Sequence, residues 1–388
     1  MTGVGVWVRR MAGRDPGEEH RASTPLELLF DLCFVVAVAQ AAGQLHHGLA
    51  AGRSVAILGY AMVFFAIWWA WMNFTWFASA YDTDDVFYRL MTLVQIAGGL
   101  VLAAGVPRAF EHYDFTVITA GYVVMRAALV VQWLRAARQD PLRRAATVRY
   151  ALGVAAVQVG WVLRLLLPAP AAYVGFAVLV VAELAVPAWA EGRGRMTSWH
   201  PGHINERYGL FTLIVLGECV SAASLAVQSA VTDRGLSGDL LLTAAGGLVL
   251  LFGLWWLYFK HEATAALRIS MVTNLLWGYA HWVIFAAVAA VGAGLSLAAE
   301  GSEIPPAATA AAIAVPVVAY LVVNGLLQHR LRPGSVPLAP LVVAAVLILA
   351  TAAVAGPLGV PVAVVVIAVL VAALVAFGVV TTHRAATH

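Results

Sequence analysis

The sequence predicts an all-α, polytopic membrane protein with about twelve transmembrane helices, and three observations carry that prediction. Of the 388 residues, 62% are hydrophobic and 11% charged, with a mean hydropathy of +0.87. Soluble globular domains carry roughly 25% charged residues. Twelve apolar runs then approach the ~20 residues that a helix needs to cross hydrocarbon. They fall at 25–49, 54–78, 87–107, 115–137, 147–168, 170–190, 205–229, 238–260, 270–298, 308–328, 336–355 and 358–381. Finally, the basic residues alternate between the connections in the way that cytoplasmic loops collect Lys and Arg.

Taken in order, residues 1–24 form a polar, arginine-bearing segment on the inner side. The run after it is too long for a removed signal peptide and lacks a cleavage pattern, so it reads as a retained first span. Spans one to six (25–190) and seven to twelve (205–381) are joined by an inner linker at 191–204, and 382–388 is an inner tail. The inner segments hold Arg9, Arg10, Arg14, Arg21, Arg89, Arg135, Arg138, Arg143, Arg144, Arg149, Arg193, Arg195, Arg207, Lys260, Arg268, Arg330, Arg332 and Arg384, which is 18 of the 23 basic residues. Arg53, Arg108 and Arg234 lie on outer segments, and Arg126 and Arg164 within spans. Both termini are therefore expected in the cytoplasm. The last two spans are separated only by Gly356–Pro361, read as a hairpin.

A faint duplication accompanies this map. Trp68-Trp69-Ala70-Trp71 near the end of span two and Trp255-Trp256-Leu257-Tyr258 near the end of span eight are each followed by charged residues. Glu27 with Arg89 and Glu206 with Arg268 share an offset of 179 residues. Halves six helices apart would form a parallel repeat.

The pI near 9.0 corresponds to a net charge of only +3, and arginines placed between apolar runs suit a membrane surface rather than nucleic acid. Cys33 and Cys219 lie far apart inside apolar runs, which indicates neither a disulfide framework nor a cysteine metal site. No nucleophile elbow, phosphate-binding glycine loop or HExxH motif occurs. Gly98-Gly99 and Gly246-Gly247 read as close helix contacts.

The informative residues are ionisable groups in apolar surroundings. Thr24-Pro25-Leu26-Glu27 is a capping box with proline at the first helical position, so Glu27 has a structural role. Asp31, four residues on and on the same face, has none; an intramembrane carboxylate must be protonated, paired or wet. Arg89 is its expected partner, as it is for Glu27. Asp82, Asp84 and Asp85 precede span three and read either as a solvated loop with an N-cap or as oxygen ligands for a hard cation such as Mg²⁺. Span seven opens with His203, Glu206 and Arg207 and carries Glu218 further in. Span nine carries Arg268, Asn274 and His281. Arg126, Glu218 and His281 are the deepest ionisable groups, with Glu218 the first expected anion for Arg126 and Glu183 and Asp31 behind it. A buried ion pair fixing helix packing competes here with a substrate site or proton relay.

At these motifs the chain resembles the bacterial low-temperature-requirement A (LtrA) family of membrane proteins. The matching pieces are TPLELLFDLCFVVAVAQ (24–40), WWAW (68–71), YDTDDVFYRL (81–90), ERYGLFTLIVLGE (206–218), WWLYF (255–259) and LWGYAHW (276–282). The resemblance implies a multipass protein of the bacterial cytoplasmic membrane, linked to growth in the cold, and it implies no particular chemistry. It favours Glu27, Asp31, Asp82, Asp85, Arg89, Glu206, Arg207, Glu218 and His281. It also implies an acidic residue after WWLYF, where this chain has Lys260.

Two function classes follow. The first is a solute or ion transporter in which Glu27, Asp31, Arg89, Arg126, Glu206, Arg207, Glu218 and His281 bind substrate or relay protons, with no cofactor. The second is an intramembrane enzyme acting on a lipid or isoprenoid diphosphate through Asp82, Asp84, Asp85 and Arg89, with Mg²⁺; its DTDD sequence resembles the DxDD acid motif of class II terpene cyclases, which have another fold. Either would work within a lipid bilayer on a small-molecule or lipid substrate.

Overall fold

The computed structural model describes residues 7–19, 21–192, 196–260, 267, 270–301, 303–331 and 338–386, the last few as backbone alone. Arg193, Arg195, Arg268 and Arg332 lie outside the described residues, as does the side chain of Arg384. The Glu206–Arg268 pairing of the expected repeat is thus outside them too.

The described residues are helical almost throughout. In chain order the helices are α1 (Pro25–Ala50), α2 (Val55–Tyr81), α3 (Val86–Glu111), α4 (Thr116–Gln139), α5 (Arg144–Arg164), α6 (Ala169–Glu191) and α7 (Pro201–Arg234). They continue as α8 (Gly238–Phe259), α9 (Met271–Glu300), α10 (Pro306–Leu331), α11 (Leu338–Ala353), the single turn α12 (Ala355–Leu358) and α13 (Val360–Ala386). Eleven are long and apolar enough to cross a membrane, so the protein is a polytopic membrane protein. The two exceptions are the single turn α12 and the longer α11, with 16 residues. At 1.5 Å per residue it reaches about 24 Å, short of a ~30 Å hydrocarbon core. The expected break after it is present: α12 contains Gly356 and Pro357, and Gly359 takes φ +82° before α13 starts. The burial pattern suits lipid, because apolar side chains such as Val174, Val181 and Val346 are exposed while many polar ones are buried.

The helix starts follow local sequence. Thr24 and Glu27 form the capping box in both directions: the Thr24 N–H donates to Glu27 Oε2 (2.8 Å) and the Glu27 N–H to Thr24 Oγ1 (3.3 Å). Asp85 caps α3 by accepting the Tyr88 N–H at 2.8 Å, the N-cap role open to one of the three aspartates. Helix α7 begins at Pro201, earlier than the apolar run that announced it, and so includes His203.

The chain divides into two compact units. Unit 1 comprises residues 1–40 and 65–208, and unit 2 comprises 41–64 and 209–388. These boundaries run inside α1, α2 and α7. Within unit 1 the consecutive pairs α3–α4, α4–α5 and α5–α6 pack together, and within unit 2 the main pairs are α8–α13, α9–α10 and α10–α11. Small residues allow the closest approach. A Cβ on Gly121 of α4 would stand 2.5 Å from both the Gly98 carbonyl oxygen and the Leu102 nitrogen of α3, so two backbones touch there and neither can yield as a side chain would.

Residues 7–24, read from sequence only as a polar segment, are strapped onto the helix ends of unit 1. Met11 is fully buried, and its N–H donates to Gln139 Oε1 at 2.7 Å. The Arg9 N–H donates to Asp85 (2.8 Å), the Arg14 N–H to the Ala80 carbonyl (3.0 Å), and the Arg21 guanidinium to the carbonyls of Ala78 and Ser79.

Replacing Gly121 by alanine is expected to destabilise the protein by about 2–3 kcal/mol, the upper range for overpacking, because the added methyl meets backbone. Denaturant unfolding in mixed micelles measures it, and a variant as stable as the parent contradicts the α3–α4 contact.

Candidate functional site

Unit 1 holds a cluster of four ionisable side chains with no solvent exposure: Glu27 and Asp31 on α1, His203 and Arg207 on α7. Each helix presents its pair at i and i+4, which puts both members on one face. The two faces oppose each other. His203 Nε2 lies 3.2 Å from Glu27 Oε1, and Arg207 Nη1 lies 3.2 Å from the same oxygen. Arg207 Nη2 donates to Asp31 Oδ1. The indole N–H of Trp71, on α2, donates to that oxygen at 2.7 Å.

The cluster is not fully satisfied. Asp31 Oδ2, His203 Nδ1 and the buried hydroxyl of Tyr88 have no hydrogen-bond partner. Buried polar atoms are usually paired, so these atoms in and beside the cluster leave its hydrogen bonding incomplete, as it is at several other buried sites of unit 1. At the N-terminal end of α1 the strap closes over it, with the Ser23 N–H donating to Glu206 at 3.1 Å. Close by, His200 Nδ1 accepts the His203 N–H at 3.1 Å.

Asp82 stands between α2 and α3, outside the spans and almost fully buried. Burial, reinforced by repulsion from Glu27, pushes its carboxyl up to about 6, although the Arg21 guanidinium opposes the shift. Its two neighbours go the other way. Asp84 is held down by its hydrogen bonds from the exposed Arg89. Burial pushes Asp85 up, but hydrogen bonds from Arg135 and from the Tyr88 and Arg9 N–H groups outweigh that and hold it low.

Several sequence expectations need correction. Arg89 pairs with Asp84 at 2.7 Å on the surface, not with Glu27 or Asp31, because the capped start of α3 points its side chain outward. Arg207 takes that role. Arg126 pairs with Glu183 at 3.0 Å, not with Glu218. Its Nη1 donates to Asn73 Oδ1 (3.1 Å) and its Nη2 to the Tyr122 hydroxyl (2.7 Å). Glu183 in turn accepts the indole N–H groups of Trp69 (2.7 Å) and Trp161 (3.0 Å). Four helices of unit 1 thus meet at one charge-balanced pair, the arrangement of a packing element.

In unit 2, His281 pairs with Tyr258 and not with Glu218. Its Nδ1 lies 2.7 Å from the Trp277 carbonyl and its Nε2 3.0 Å from the Tyr258 hydroxyl. That geometry fits a neutral ring donating through Nδ1 and accepting at Nε2. Glu218 is half-buried, without a hydrogen bond or ion pair among the described residues. Lys260 donates to the Gly378 carbonyl at 2.6 Å, so a cation there ties α8 to α13.

Each of the three aspartates is engaged by protein groups. Asp85 is engaged by Arg135, Asp84 by Arg89, and Asp82 Oδ1 by the Asp84 N–H at 2.9 Å. Among the described residues, no group of three or more His, Cys, Asp or Glu side chains could hold an ion.

His203 went unrecognised as a partner in the sequence. The available signal was its spacing: His203–Arg207 repeats the four-residue step of Glu27–Asp31, and both cross-helix pairs are separated by 176 residues.

The model of the bacterial low temperature requirement A protein (LtrA) family matches residues 22–376, nearly the whole chain and all of the cluster. The chain is a member of the LtrA family. It is also similar to an uncharacterized protein of Rhizobium meliloti (strain 1021), 28% identical over 313 residues, covering 75% of this chain and 72% of the relative. The LtrA match starts within the strap and includes Asp31, Asp82, His203 and Arg207.

Two predictions follow from these geometries. Glu183→Ala leaves Arg126 buried without its carboxylate and is expected to cost roughly 3–5 kcal/mol. The double replacement Arg126→Met with Glu183→Leu should recover most of that loss, and denaturation in mixed micelles compares them. For Asp82, a folded-state value near 6 against ~3.9 unfolded means that the folded protein binds the extra proton. Its penalty is therefore full above about pH 6 and fades as pH falls toward 4. Asp82→Asn should stabilise the protein by about 2 kcal/mol at pH 7.5, with the gain vanishing near pH 4 in thermal melts.

Proposed function

We propose that this LtrA-family protein is a proton-coupled transporter of a small solute or ion, with the Glu27–Asp31–His203–Arg207 cluster as the group whose protonation changes during the cycle. The observation that carries this reading is a charge count. Two carboxylates face a single guanidinium, all with zero exposure. With His203 neutral the cluster holds one net negative charge, and an uncompensated charge in low dielectric is strongly unfavourable. One proton, on His203 or shared with a carboxylate, neutralises it. Histidine is the side chain whose charge changes most readily between pH 5 and 8, and intramembrane ionisable groups commonly serve proton relays.

Asp31 is the proton acceptor in this scheme, since one of its oxygens has no partner. Arg207 holds both carboxylates in place, and Trp71 fixes the orientation of Asp31. Asp82, at the strap side of the bundle, supplies an entry point for protons from water. Arginine distribution supports a location in the bacterial cytoplasmic membrane with both termini cytoplasmic, which puts this entry on the cytoplasmic face. The separate engagement of Asp84 and Asp85 gives no support to catalysis on a lipid or isoprenoid diphosphate.

The test needs no knowledge of the solute. In pH-difference infrared spectra of the reconstituted protein, taken between about pH 5 and pH 8, a carboxyl or imidazole band should titrate. That band should disappear in Asp31→Asn and shift in His203→Gln. Asp82 also titrates in this window, so a titrating band left unchanged by both Asp31→Asn and His203→Gln would make the cluster a static brace and end the transport reading.

A further inference from the structure

Unit 2 contains a cavity of about 450 Å³ where α7 and α9 end and where α8, α10 and α13 begin. That volume lies within the roughly 300–1,000 Å³ of small-molecule sites. Its walls are largely apolar, formed by side chains such as Leu240, Leu297, Ile304 and Val360. The polar groups on the wall can be accounted for one by one. The Thr243 hydroxyl donates back to the Asp239 carbonyl at 2.9 Å, and Ser237 caps α8 by accepting the Leu240 N–H at 3.2 Å. Asp239 occupies the first turn of α8, where a carboxylate offsets the positive helix end.

Two groups remain. Arg234 Nη2 donates to the Ala299 carbonyl at 2.6 Å, closing the C-terminal end of α9. Gly301, at φ +72°, gives the guanidinium its seat, since a Cβ there would stand 2.3 Å from Nη1. Arg234 Nε and Nη1 have no hydrogen-bond partner among the described residues. Thr309, on α10, is 3% exposed and lines the cavity, yet its hydroxyl makes no hydrogen bond among the described residues. Buried helical threonines ordinarily bond back to the carbonyl four residues earlier, as Thr92 and Thr351 do here. The α10 and α13 starts also lack an acidic residue in the first turn, so neither helix supplies a carboxylate of its own to offset its positive end at the cavity.

We propose that this cavity binds a small amphiphile with an anionic head, a carboxylate or a phosphate. The head sits between the Arg234 guanidinium and the Thr309 hydroxyl, at the N-terminal ends of α10 and α13. The tail lies against Leu240, Leu297 and Val360. Such a head supplies an acceptor to the buried Thr309 hydroxyl and a counter-charge to the exposed Arg234 guanidinium, and the apolar wall takes a short aliphatic chain. The same chemistry is available from a free amphiphile in water and from a phospholipid of the bilayer.

The full-length protein in phosphatidylcholine nanodiscs is titrated with radiolabelled octanoate and with hexyl phosphate. Saturable binding of these probes is expected, with octylamine unable to displace them. Arg234→Gln should weaken binding roughly tenfold, and the near-isosteric Thr309→Val severalfold, each without a change in melting temperature. If Arg234→Gln does not fold, Thr309→Val decides. Nanodiscs containing phosphatidic acid separate the sources: lost octanoate binding means that a lipid headgroup occupies the site, and retained binding means a free amphiphile. Absence of saturable binding, equal competition by octylamine, or parental affinity in Thr309→Val overturns the proposal.

Discussion

A carboxylate inside hydrocarbon persists only if something neutralises it, and in unit 1 that requirement fixes the starts of α1 and α7 against each other. Glu27 and Asp31 on one helix, His203 and Arg207 on the other, are spaced alike and fully buried. A slip of either helix by one residue would rotate its pair by about 100° and leave charges facing lipid or apolar side chains. The cluster therefore sets the register of the two helices as well as holding charge. The end of α2 follows from it, because the Trp71 indole N–H must reach Asp31, and the tryptophan-rich stretch Trp68–Trp71 is buried accordingly.

The bundle holds a second buried network, and the contrast gives the first its meaning. Arg126 and Glu183 balance each other one to one, with Trp69, Trp161, Asn73 and Tyr122 filling most of the remaining hydrogen-bond capacity. Such a network is charge-balanced and ties α2, α4, α5 and α6 together. The Glu27–Arg207 cluster has two acids to one permanent base and leaves an acid oxygen and a ring nitrogen unpartnered. The first arrangement resists change in charge. The second leaves one acid in excess of its base, and the proposed proton coupling rests on that excess.

Much of the fold was legible because lipid imposes simple rules. Length and hydropathy located the twelve long helices, with the Gly356–Pro361 break, which holds most of the single turn α12, where α11 gives way to α13, and the capping box gave the start of α1 to the residue. What sequence could not supply was which helix faces which. Arg89 was the expected partner for Asp31, but the outward direction of the α3 start assigns it to Asp84, and Arg207 takes its place. Likewise Glu218 was the deeper and more conspicuous acid, but Glu183 is the one within reach of Arg126. The strap was hidden for a different reason. Its contacts run largely through backbone N–H and C=O groups, which carry no residue signature, and its buried Met11 is not set apart in the sequence from the exposed Trp7 and Val8.

Glu27 shows why a structural reading and a functional one need not compete. Its Oε2 closes the capping box with Thr24, while its Oε1 faces His203 and Arg207. The helix start places this carboxylate at the positive end of α1, where its negative charge is favoured, so Glu27 is the member of the cluster best able to stay ionised. Asp31 lies a turn deeper, beyond the reach of that end, with one oxygen unpartnered. Two carboxylates in one cluster thus occupy unequal environments, and the proposed scheme assigns the fixed charge to Glu27 and the variable one to Asp31. The asymmetry traces back to the four residues Thr24 to Glu27, whose local geometry would be the same in any helix, and to the placement of Asp31 one turn further into the membrane.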